Sequence, residues 1–467
     1  MITFVSSLLL LLLGYLVYGT IVERVFGADR DRTTPCYTKA DGVDFIPMAS
    51  WRVFLIQFLN IAGTGPIFGA IMGILFGPSA YLWIVFGCIF AGATHDYMSG
   101  MISLRKGGAS LPELVGDELG STARFFLRVV SVGVLVLVGT VFVTTPASLL
   151  ATLTPNWGAF GTVTFWTILV FLYYILATLL PVDALIGRIY PLFGCALLFM
   201  AFGIGISIFT HEGWMPEVFD GLASQHPKGL GIFPMLCITI ACGAISGFHA
   251  TQSPLMARCI KNERLGRPIF YGSMITEGVV ALIWAAAAIK FAGSYQNLAD
   301  MGNPATVVGA ICKGWLGTAG AVLAVLGVVA APITSGDTAF RSARLIVADF
   351  IHIKQDKLWS RLVLSLPLFA ISVVLMLVNF DVLWRYFAWF NQSFSCFTLW
   401  AVTVWLFHQK KCFWITLIPA LFMTMVCSSY IVVAPEGFHF PIPVGLAVGA
   451  VFDLVCLGLF YFRTKRG

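Results

Sequence analysis

Long apolar runs recur from one end of this chain to the other, and short polar segments separate them. A run of about 20 apolar residues is long enough to cross the hydrocarbon core of a bilayer as a helix. Thirteen such runs are present, so the pattern predicts thirteen spanning helices. Their predicted limits are 2–22, 51–77, 80–103, 125–151, 160–180, 189–210, 231–257, 271–293, 318–340, 361–379, 384–407, 411–434 and 441–462.

The composition supports a polytopic membrane protein. Of the 467 residues, 59% are hydrophobic and 11% are charged, whereas a soluble domain has roughly 25% charged residues. No basic segment precedes the first apolar run and no small-residue cleavage site follows it, so we expect a retained helix and not a signal peptide. The eleven cysteines are scattered singly, which is typical of small packing residues and not of a metal or disulfide framework.

The basic residues predict the orientation. If thirteen spans alternate, 24 of the 28 Lys and Arg residues fall in loops on one side. The four on the other side are Lys228, Lys290, Lys313 and Arg385. Because loops rich in Lys and Arg stay in the cytoplasm, we expect an outer N-terminus and a cytoplasmic C-terminus. This distribution also accounts for the net charge of +6 without a nucleic acid partner.

Two predicted spans contain sequences that a helix facing lipid would avoid. Residues 60–66 read NIAGTGP, and residues 243–254 read GAISGFHATQSP. Non-helical backbone exposes N–H and C=O groups, so it is tolerated at membrane depth only where protein or a water-filled cavity satisfies them. We therefore predict two broken helices. Close helix packing is the alternative for part of the first, where Gly65, Gly69 and Gly73 recur every four residues.

The spacing of the breaks predicts an inverted repeat. Each broken span begins a run of five predicted spans, and an odd number gives the second run the opposite orientation. We predict an all-α polytopic membrane protein with a 5+5 inverted-repeat core, formed by residues 51–210 and 231–407. One extra N-terminal helix (1–22) and two extra C-terminal helices (411–462) flank this core. In such transporters the broken helices meet near the bilayer midplane, where half-helix N-termini attract anions and free carbonyls coordinate cations.

Ionisable groups inside spans are further candidates, because they are costly in lipid. The adjacent His95 and Asp96 could exchange a proton near neutral pH, or they could only orient the cytoplasmic end of their span. His249 in the second break could bind substrate or relay a proton, or it could be a packing residue. Asp337 could help to bind a small cation, or it could pair with Arg341 one turn later.

Other features limit the function. Glu277, Lys290 and Asp453 lie near predicted span ends or outside the predicted core, and we interpret them as packing or interfacial groups. The motifs HExxH and GxSxG and the P-loop are missing. We therefore expect no enzymatic activity and no nucleotide, so that any active transport must use an ion gradient. The long outer loop 294–317 is expected to contain short helices.

Five segments carry a resemblance to a known family. They are FGADRDRTTPCYTKADGVDF (26–45), IAGTGPIFG (61–69), HDYMSGMISLRKGG (95–108), ITIACGAISGFHATQSPLMARC (238–259) and APITSGDTAFRSARLIVADF (331–350). In order and over most of the chain, they resemble the carbon starvation protein A (CstA) family. The chain looks like a short member, without the longer C-terminal part of some relatives. The resemblance implies a bacterial inner-membrane importer of peptides or pyruvate, used when carbon is scarce.

The resemblance also implies the LeuT-like fold of the amino acid–polyamine–organocation superfamily. In sodium-coupled members, a cation lies between carbonyls of the first broken helix and a Thr-Ser pair on the eighth core helix. Thr334 and Ser335 occupy the corresponding place here. Acidic side chains nearby would suit a proton-coupled relative, so the coupling ion is H⁺ or Na⁺, and no cofactor is expected. The predicted ion-coupling residues are Ala62, Thr334, Ser335, Asp337, His95 and Asp96.

The sequence therefore predicts an ion-coupled secondary transporter that imports small nutrients. A nutrient sensor, or a channel without ion coupling, is the alternative. The expected partners are a peptide or pyruvate and the lipid bilayer, and the oligomeric state stays open. The predicted substrate-binding residues, some of which would act through backbone N–H groups, are Gly63, Thr64, Gly65, Ser246, Gly247, His249 and Gln252.

Overall fold

The computed structural model describes residues 1–40, 45–179, 186–351, 353 and 358–465, and all regular structure in these ranges is helical. Outside the described residues lie parts of the predicted loops, the end of the predicted span 160–180 and the end of the chain, at residues 41–44, 180–185, 352, 354–357 and 466–467. The helices of the first half are α1 (Ile2–Leu16), α2 (Tyr18–Phe26), α3 (Pro35–Thr38), α4 (Ser50–Ile61), α5 (Gly65–Gly73), α6 (Ser79–Phe86), α7 (Ala93–Arg105), α8 (Leu111–Leu119), α9 (Ser121–Leu153), α10 (Val163–Leu179) and α11 (Ile186–Thr210).

The second half continues the all-helical pattern. Its helices are α12 (Met235–Thr239), α13 (His249–Ala257), α14 (Gly272–Ala292), α15 (Tyr295–Asp300), α16 (Pro304–Ala324), α17 (Ala330–Ile351), α18 (Leu358–Leu375), α19 (Phe380–His408), α20 (Trp414–Val433) and α21 (Ile442–Lys465). Short π-helical segments join α6 to α7 (Gly87–Gly92), lead into α14 (Arg267–Tyr271) and join α16 to α17 (Val325–Val329). The loop 294–317, predicted to lie outside, contains α15 and the first part of α16, in agreement with the short helices expected there.

Each predicted span corresponds to a helix or to an interrupted pair of helices. By length and composition, eight stretches of the described chain could each cross a membrane, and the bent pair α4–α5 makes a ninth. The other four predicted spans are α6–α7, α10, α12–α13 and α19. Two of these are interrupted, α10 has only 17 residues, and α19 carries buried polar side chains along its length. The spans that carry His95, Asp96 and His249 are among these four, whereas Glu277 and Asp337 lie in stretches that are apolar enough to cross.

Both predicted breaks are present. The first separates α4 from α5 at residues 62–64 and bends the chain by 48°. Pro66 lies in the first turn of α5, where its missing N–H costs no helical hydrogen bond. The second break is longer and comprises residues 240–248, between α12 and α13. Around the breaks, α14 packs against α4 and α5, α13 packs against α4 and α7, and α9 packs against α17.

A buried carboxylate joins three parts of the chain at the end of the bundle that is rich in basic residues. Glu263 is fully buried and accepts hydrogen bonds from Arg105 Nε (3.1 Å) and Nη2 (3.0 Å) at the end of α7. It also accepts one from the backbone N–H of Asp29 (2.8 Å), just after α2. The Arg105 guanidinium lies 4.1 Å from the centre of the Phe26 ring. The segment after α13, the end of α7 and the end of α2 are thereby held together.

Candidate functional site

The two breaks touch one another. A Cβ placed on Gly65, at the first break, would lie 2.3 Å from Cys242 Sγ in the second. A Cβ on Gly243 would lie 3.9 Å from the Cα of Pro66. Gly65 therefore allows a contact that a larger residue would prevent. The prediction that the broken segments face each other is confirmed.

The backbone of the second break is held by neighbouring helices. Trp83 Nε1 of α6 donates a hydrogen bond to the carbonyl of Ile240 (3.0 Å), and the N–H of Gly247 donates to the carbonyl of Asn391 in α19 (2.9 Å). A Cβ on Gly247 would lie 2.5 Å from both Asn391 O and the Ser395 N. These contacts satisfy polar backbone groups that lipid could not. In this conformation the Gly247 N–H, predicted to bind an anion, is already paired.

The first break has mostly apolar surroundings. A Cβ on Gly63 would lie 3.1 Å from the tip of the Phe142 ring of α9. The same ring lies 6.4 Å, centre to centre, from Phe248 of the second break. Thr64 Oγ1 donates to Thr145 Oγ1 at 3.4 Å, a long hydrogen bond. One aromatic ring therefore contacts both breaks.

Beside the second break, Asp96 connects two histidines. Asp96 Oδ1 lies 2.8 Å from His95 Nδ1, and Asp96 Oδ2 lies 2.9 Å from Nδ1 of His249, the first residue of α13. On the other side, His249 Nε2 lies 3.6 Å from Glu277 Oε2 of α14. All four side chains are fully buried. We call His95, Asp96, His249 and Glu277 the acid–histidine cluster.

The sequence analysis placed His95, Asp96 and His249 among the candidates but did not predict that Asp96 joins them. Glu277 was interpreted as a packing or interfacial group near a span end. The interfacial position is wrong, whereas a packing role stays a prediction. The apolar helical stretch begins at Glu263, not at residue 271, so that Glu277 lies near its middle and is buried. An acidic residue in an apolar span was the signal that could have identified it.

Cys242 was also missed as a neighbour of this cluster. Its Sγ and the ligand atoms of His249 and Glu277 lie within 4.8 Å of one another. These are residue types that can hold a metal ion. The close contacts formed within the cluster, however, are between acids and bases, and we interpret it as a proton-binding group.

Several buried polar atoms near the breaks have no hydrogen-bond partner within the described part of the chain. They are Asn60 Oδ1, Ser246 Oγ and Gln252 Oε1. The amide nitrogen of Gln252 donates to Thr251 Oγ1 (3.0 Å). Because a buried polar atom without a partner is costly, these atoms are candidates for contact with a polar substrate. The substrate-binding role of Ser246 and Gln252 stays a prediction.

The predicted cation residues lie on α17, which packs against α4. Thr334 Oγ1 and Ser335 Oγ donate to the carbonyl of Ala331 at 2.7 and 3.1 Å, within their own helix. Asp337 Oδ1 lies 3.6 Å from Arg341 Nη2. The ion pair that the sequence analysis gave as the alternative role of Asp337 is therefore present. Their part in ion coupling, with the carbonyl of Ala62, stays a prediction.

The fold resembles that of a solved transporter. The structure of a manganese transporter from Eremococcus coleocola superimposes with a TM-score of 0.58 and 14% sequence identity, covering 89% of this chain and 94% of that chain. At this identity the likeness shows the fold alone. The chain therefore has the predicted LeuT-like architecture, whereas the exact limits of its two repeats stay a prediction.

Relatives are recognisable by sequence. An uncharacterized membrane protein of Haemophilus influenzae is 45% identical over 347 residues, covering 64% of this chain and 94% of that protein. The peptide transporter CstA of Campylobacter jejuni is 29% identical (60% of this chain, 48% of that protein), and the pyruvate/proton symporter BtsT of Escherichia coli is 30% identical (61% and 48%). The chain spans about half the length of these two named transporters.

The family described as "Carbon starvation protein CstA" matches residues 1–165 and 153–316. The match covers more than half of the chain and includes both breaks and the acid–histidine cluster. This chain belongs to the carbon starvation protein CstA family.

Proposed function

We propose that this chain is a proton-coupled secondary transporter that imports small carboxylate nutrients, peptides or pyruvate, across the bacterial inner membrane. Its family, its fold and the names of its relatives support transport. The basic loops support an outer N-terminus and a cytoplasmic C-terminus. The family name associates the activity with carbon starvation.

The acid–histidine cluster is the observation that carries the proposal. When Asp96 is ionised it accepts hydrogen bonds from Nδ1–H of both histidines. The Nε2 atom of His249 then faces Glu277 at 3.6 Å. If neither group carries a proton there, two acceptors face each other in a buried place. One proton, on Glu277 or on His249, turns this repulsion into an attraction, so that the cluster can take up and release one proton.

The cluster connects helices that would move during transport. In an inverted-repeat transporter, the first two spans of each repeat can rock against the rest to alternate access. Asp96 lies on the second span of the first repeat, His249 on the first span of the second repeat, and Glu277 on the span that follows. A proton at His249 or Glu277 therefore changes the contact between α13 and α14 directly beside the second break.

Uptake by bacterial cells tests the proposal. Labelled pyruvate and dialanine are supplied with and without a protonophore, and with Na⁺ replaced by choline. We expect accumulation that the protonophore abolishes and that Na⁺ replacement leaves unchanged. A pH gradient of one unit would support about tenfold electroneutral accumulation of a monocarboxylate with one proton, because one pH unit corresponds to about 1.4 kcal/mol.

The variant Glu277→Gln keeps the size of the side chain but cannot hold the proton. We expect it to lose accumulation while it still exchanges labelled for unlabelled substrate, and the exposed Glu212→Gln serves as the matched control. Accumulation by Glu277→Gln at the wild-type level would contradict the proton role. Uptake that stops without Na⁺ and in Asp337→Asn would favour the α17 site instead. Stoichiometric metal in purified protein, lost in Cys242→Ser, would mean that the cluster binds a metal.

A further inference from the structure

A cavity of about 440 Å³ lies at the outer end of both broken helices. Part of its lining comes from α5 (Ile71, Met72) and from α12 (Met235, Thr239), the half-helices on the same side of the two breaks. A molecule in this cavity therefore lies directly against the segments that lead to the breaks.

Aromatic rings separate the cavity from the first break. Trp384 of α19 lines the cavity, and its ring lies 5.9 Å from that of Phe68, in the first turn of α5. A Cβ on Gly69 would lie 3.8 Å from the Trp384 ring, which shows how closely α5 and α19 pack here. The contact between Phe68 and Trp384 therefore lies between this cavity and the first break.

Two of the four basic residues predicted on the outer side line the cavity. Of those four, Lys290 is buried and donates to the carbonyl of Ile208 (2.7 Å), and Lys313 is exposed on α16. The other two, Lys228 and Arg385, line the cavity. Such a concentration of charge in a concave surface with apolar walls raises the local concentration of anions.

Each of these cations has a carboxylate near it, and the two pairs differ in strength. Asp381, which also lines the cavity, lies 3.9 Å from Lys228 Nζ, and both side chains are at least half exposed. Exposed pairs at this distance are weak. Glu436 accepts a hydrogen bond from Arg385 Nη1 (3.0 Å) and another from Tyr430, and it holds the Arg385 guanidinium in place. The two cations and these two carboxylates balance in formal charge, so attraction of an anion depends on Lys228, whose pair with Asp381 is weak.

A histidine in the lining, His226, adds no positive charge to the cavity. Burial lowers the pKa of His226 to about 4, and the positive charges of Lys228 and Arg385 contribute to this decrease. His226 is consequently neutral at the pH of uptake, and it supplies no charge of its own.

We propose that this cavity is an outer docking site for the carboxylate group of the transported nutrient, held by Lys228 and Arg385 before α5 and α12 move. The inference depends on the proposed function and adds to it the residues that first recognise the substrate. Pyruvate and the C-terminus of a peptide share this carboxylate, so the site serves either. Since docking precedes the movement of the helices, its loss weakens substrate capture and leaves the turnover of captured substrate unchanged.

Initial uptake rates at increasing substrate concentration test the proposal. We expect Lys228→Gln and Arg385→Gln to raise the KM for pyruvate and for dialanine about three- to tenfold at low ionic strength, with Vmax nearly unchanged, and added salt to reduce the difference from wild type. Lys313→Gln, another outer lysine, is the matched control and keeps the wild-type KM. A rise for pyruvate alone, or for dialanine alone, identifies which carboxylate the site recognises.

Dialanine amide, which lacks the carboxylate, provides a second control. If wild-type protein transports it, we expect the same KM in Lys228→Gln as in wild type. Arg385→Gln leaves Glu436 unpaired and could misfold, but Lys228 is largely exposed, so Lys228→Gln tests the site without that problem. An unchanged KM in Lys228→Gln for both carboxylates would overturn the docking site while transport stands. Absence of uptake by wild-type protein would overturn the proposed function and this inference with it.

Discussion

The two broken helices differ in what surrounds them. The first break has three residues, faces the Phe142 ring and touches Cys242, and its polar side chain Thr64 makes one long hydrogen bond. The second has nine residues, accepts a hydrogen bond from α6 and donates one to α19. It is followed directly by His249, which is bound to Asp96.

This difference leads us to expect different roles for the two breaks. A short break with apolar walls can open and close at little electrostatic cost, whereas the second break carries the ionisable groups at its end. We therefore expect substitutions at the second break to affect coupling to the proton, and substitutions at the first to affect the packing and capture of substrate. The following variants test this comparison.

The largest effect is expected for Asp96→Asn. The amide can accept a hydrogen bond from one histidine, but it presents N–H groups to the other and carries no charge. Hydrogen bonds to a charged group contribute roughly 1.5–3 kcal/mol each, so we expect concentrative uptake to fall by at least about tenfold. Labelled-substrate uptake at pH 6 and pH 8 measures the loss.

Asp453→Asn on α21, outside the core, is the control and should accumulate substrate normally. Size-exclusion chromatography of the purified variant checks that it folds. Full pH-dependent accumulation by folded Asp96→Asn would show that the second break is not the coupling element.

An intermediate effect is expected when the glycines at the breaks gain a methyl group. In Gly247→Ala the new Cβ meets backbone atoms of α19, and in Gly65→Ala it meets the Cys242 side chain. Overpacking of this kind costs roughly 1–3 kcal/mol. Thermal unfolding should therefore occur several degrees lower in both variants, and uptake should fall several-fold.

A second substitution should restore stability in only one of the two glycine variants. The new Cβ of Gly65→Ala meets both Sγ (2.3 Å) and Cβ (2.4 Å) of Cys242, and Cys242→Gly removes both atoms, so the double variant should regain much of the lost stability. No side-chain truncation can relieve Gly247→Ala, because its Cβ meets backbone atoms. Gly133→Ala has open space around its Cβ and is the neutral control. Failure of Cys242→Gly to rescue Gly65→Ala would mean that the breaks do not meet as described.

The smallest effect is expected for Thr64→Val, which removes the hydroxyl of the first break and keeps the shape. Its hydrogen bond is long, and neutral hydrogen bonds contribute roughly 0.5–1.5 kcal/mol. We expect the KM to change by less than about threefold and the accumulation ratio to stay at the wild-type value. A reduced accumulation ratio would assign coupling to the first break as well.

Much of the fold could be predicted because it follows from local chemistry. Glycine, proline and amide residues within apolar runs identified both breaks, and the parity of the spans between them predicted the opposed repeats. The short helix α8 was missed because its nine residues cannot span a bilayer. A capping contact from Glu113 to the N–H of Ser110 begins it, and Leu111, Leu114 and Val115 bury its inner face.

The site could be predicted only in part, because it depends on contacts distant in sequence. Asp96 and His249 are 153 positions apart, and no spacing rule connects them. Glu277 was misplaced because hydropathy located the start of its span too late, at residue 271, which left out the π-helical segment Arg267–Tyr271. The sequence singled out Lys228 and Arg385 as two of the four basic residues predicted on the outer side. Only the structure shows that both line the same cavity.

The buried Glu263 has a consequence for the part of the chain that precedes the repeats. Its hydrogen bonds join the segment after α13 to Arg105 and to the backbone just beyond α2. Removing one partner from a buried ion pair costs roughly 3–5 kcal/mol, so these pieces stay together while the bundle changes shape. We therefore expect the N-terminal helices α1 and α2 to move together with α7 and the second broken helix. The group of helices that moves as one unit would then include residues outside the inverted repeat.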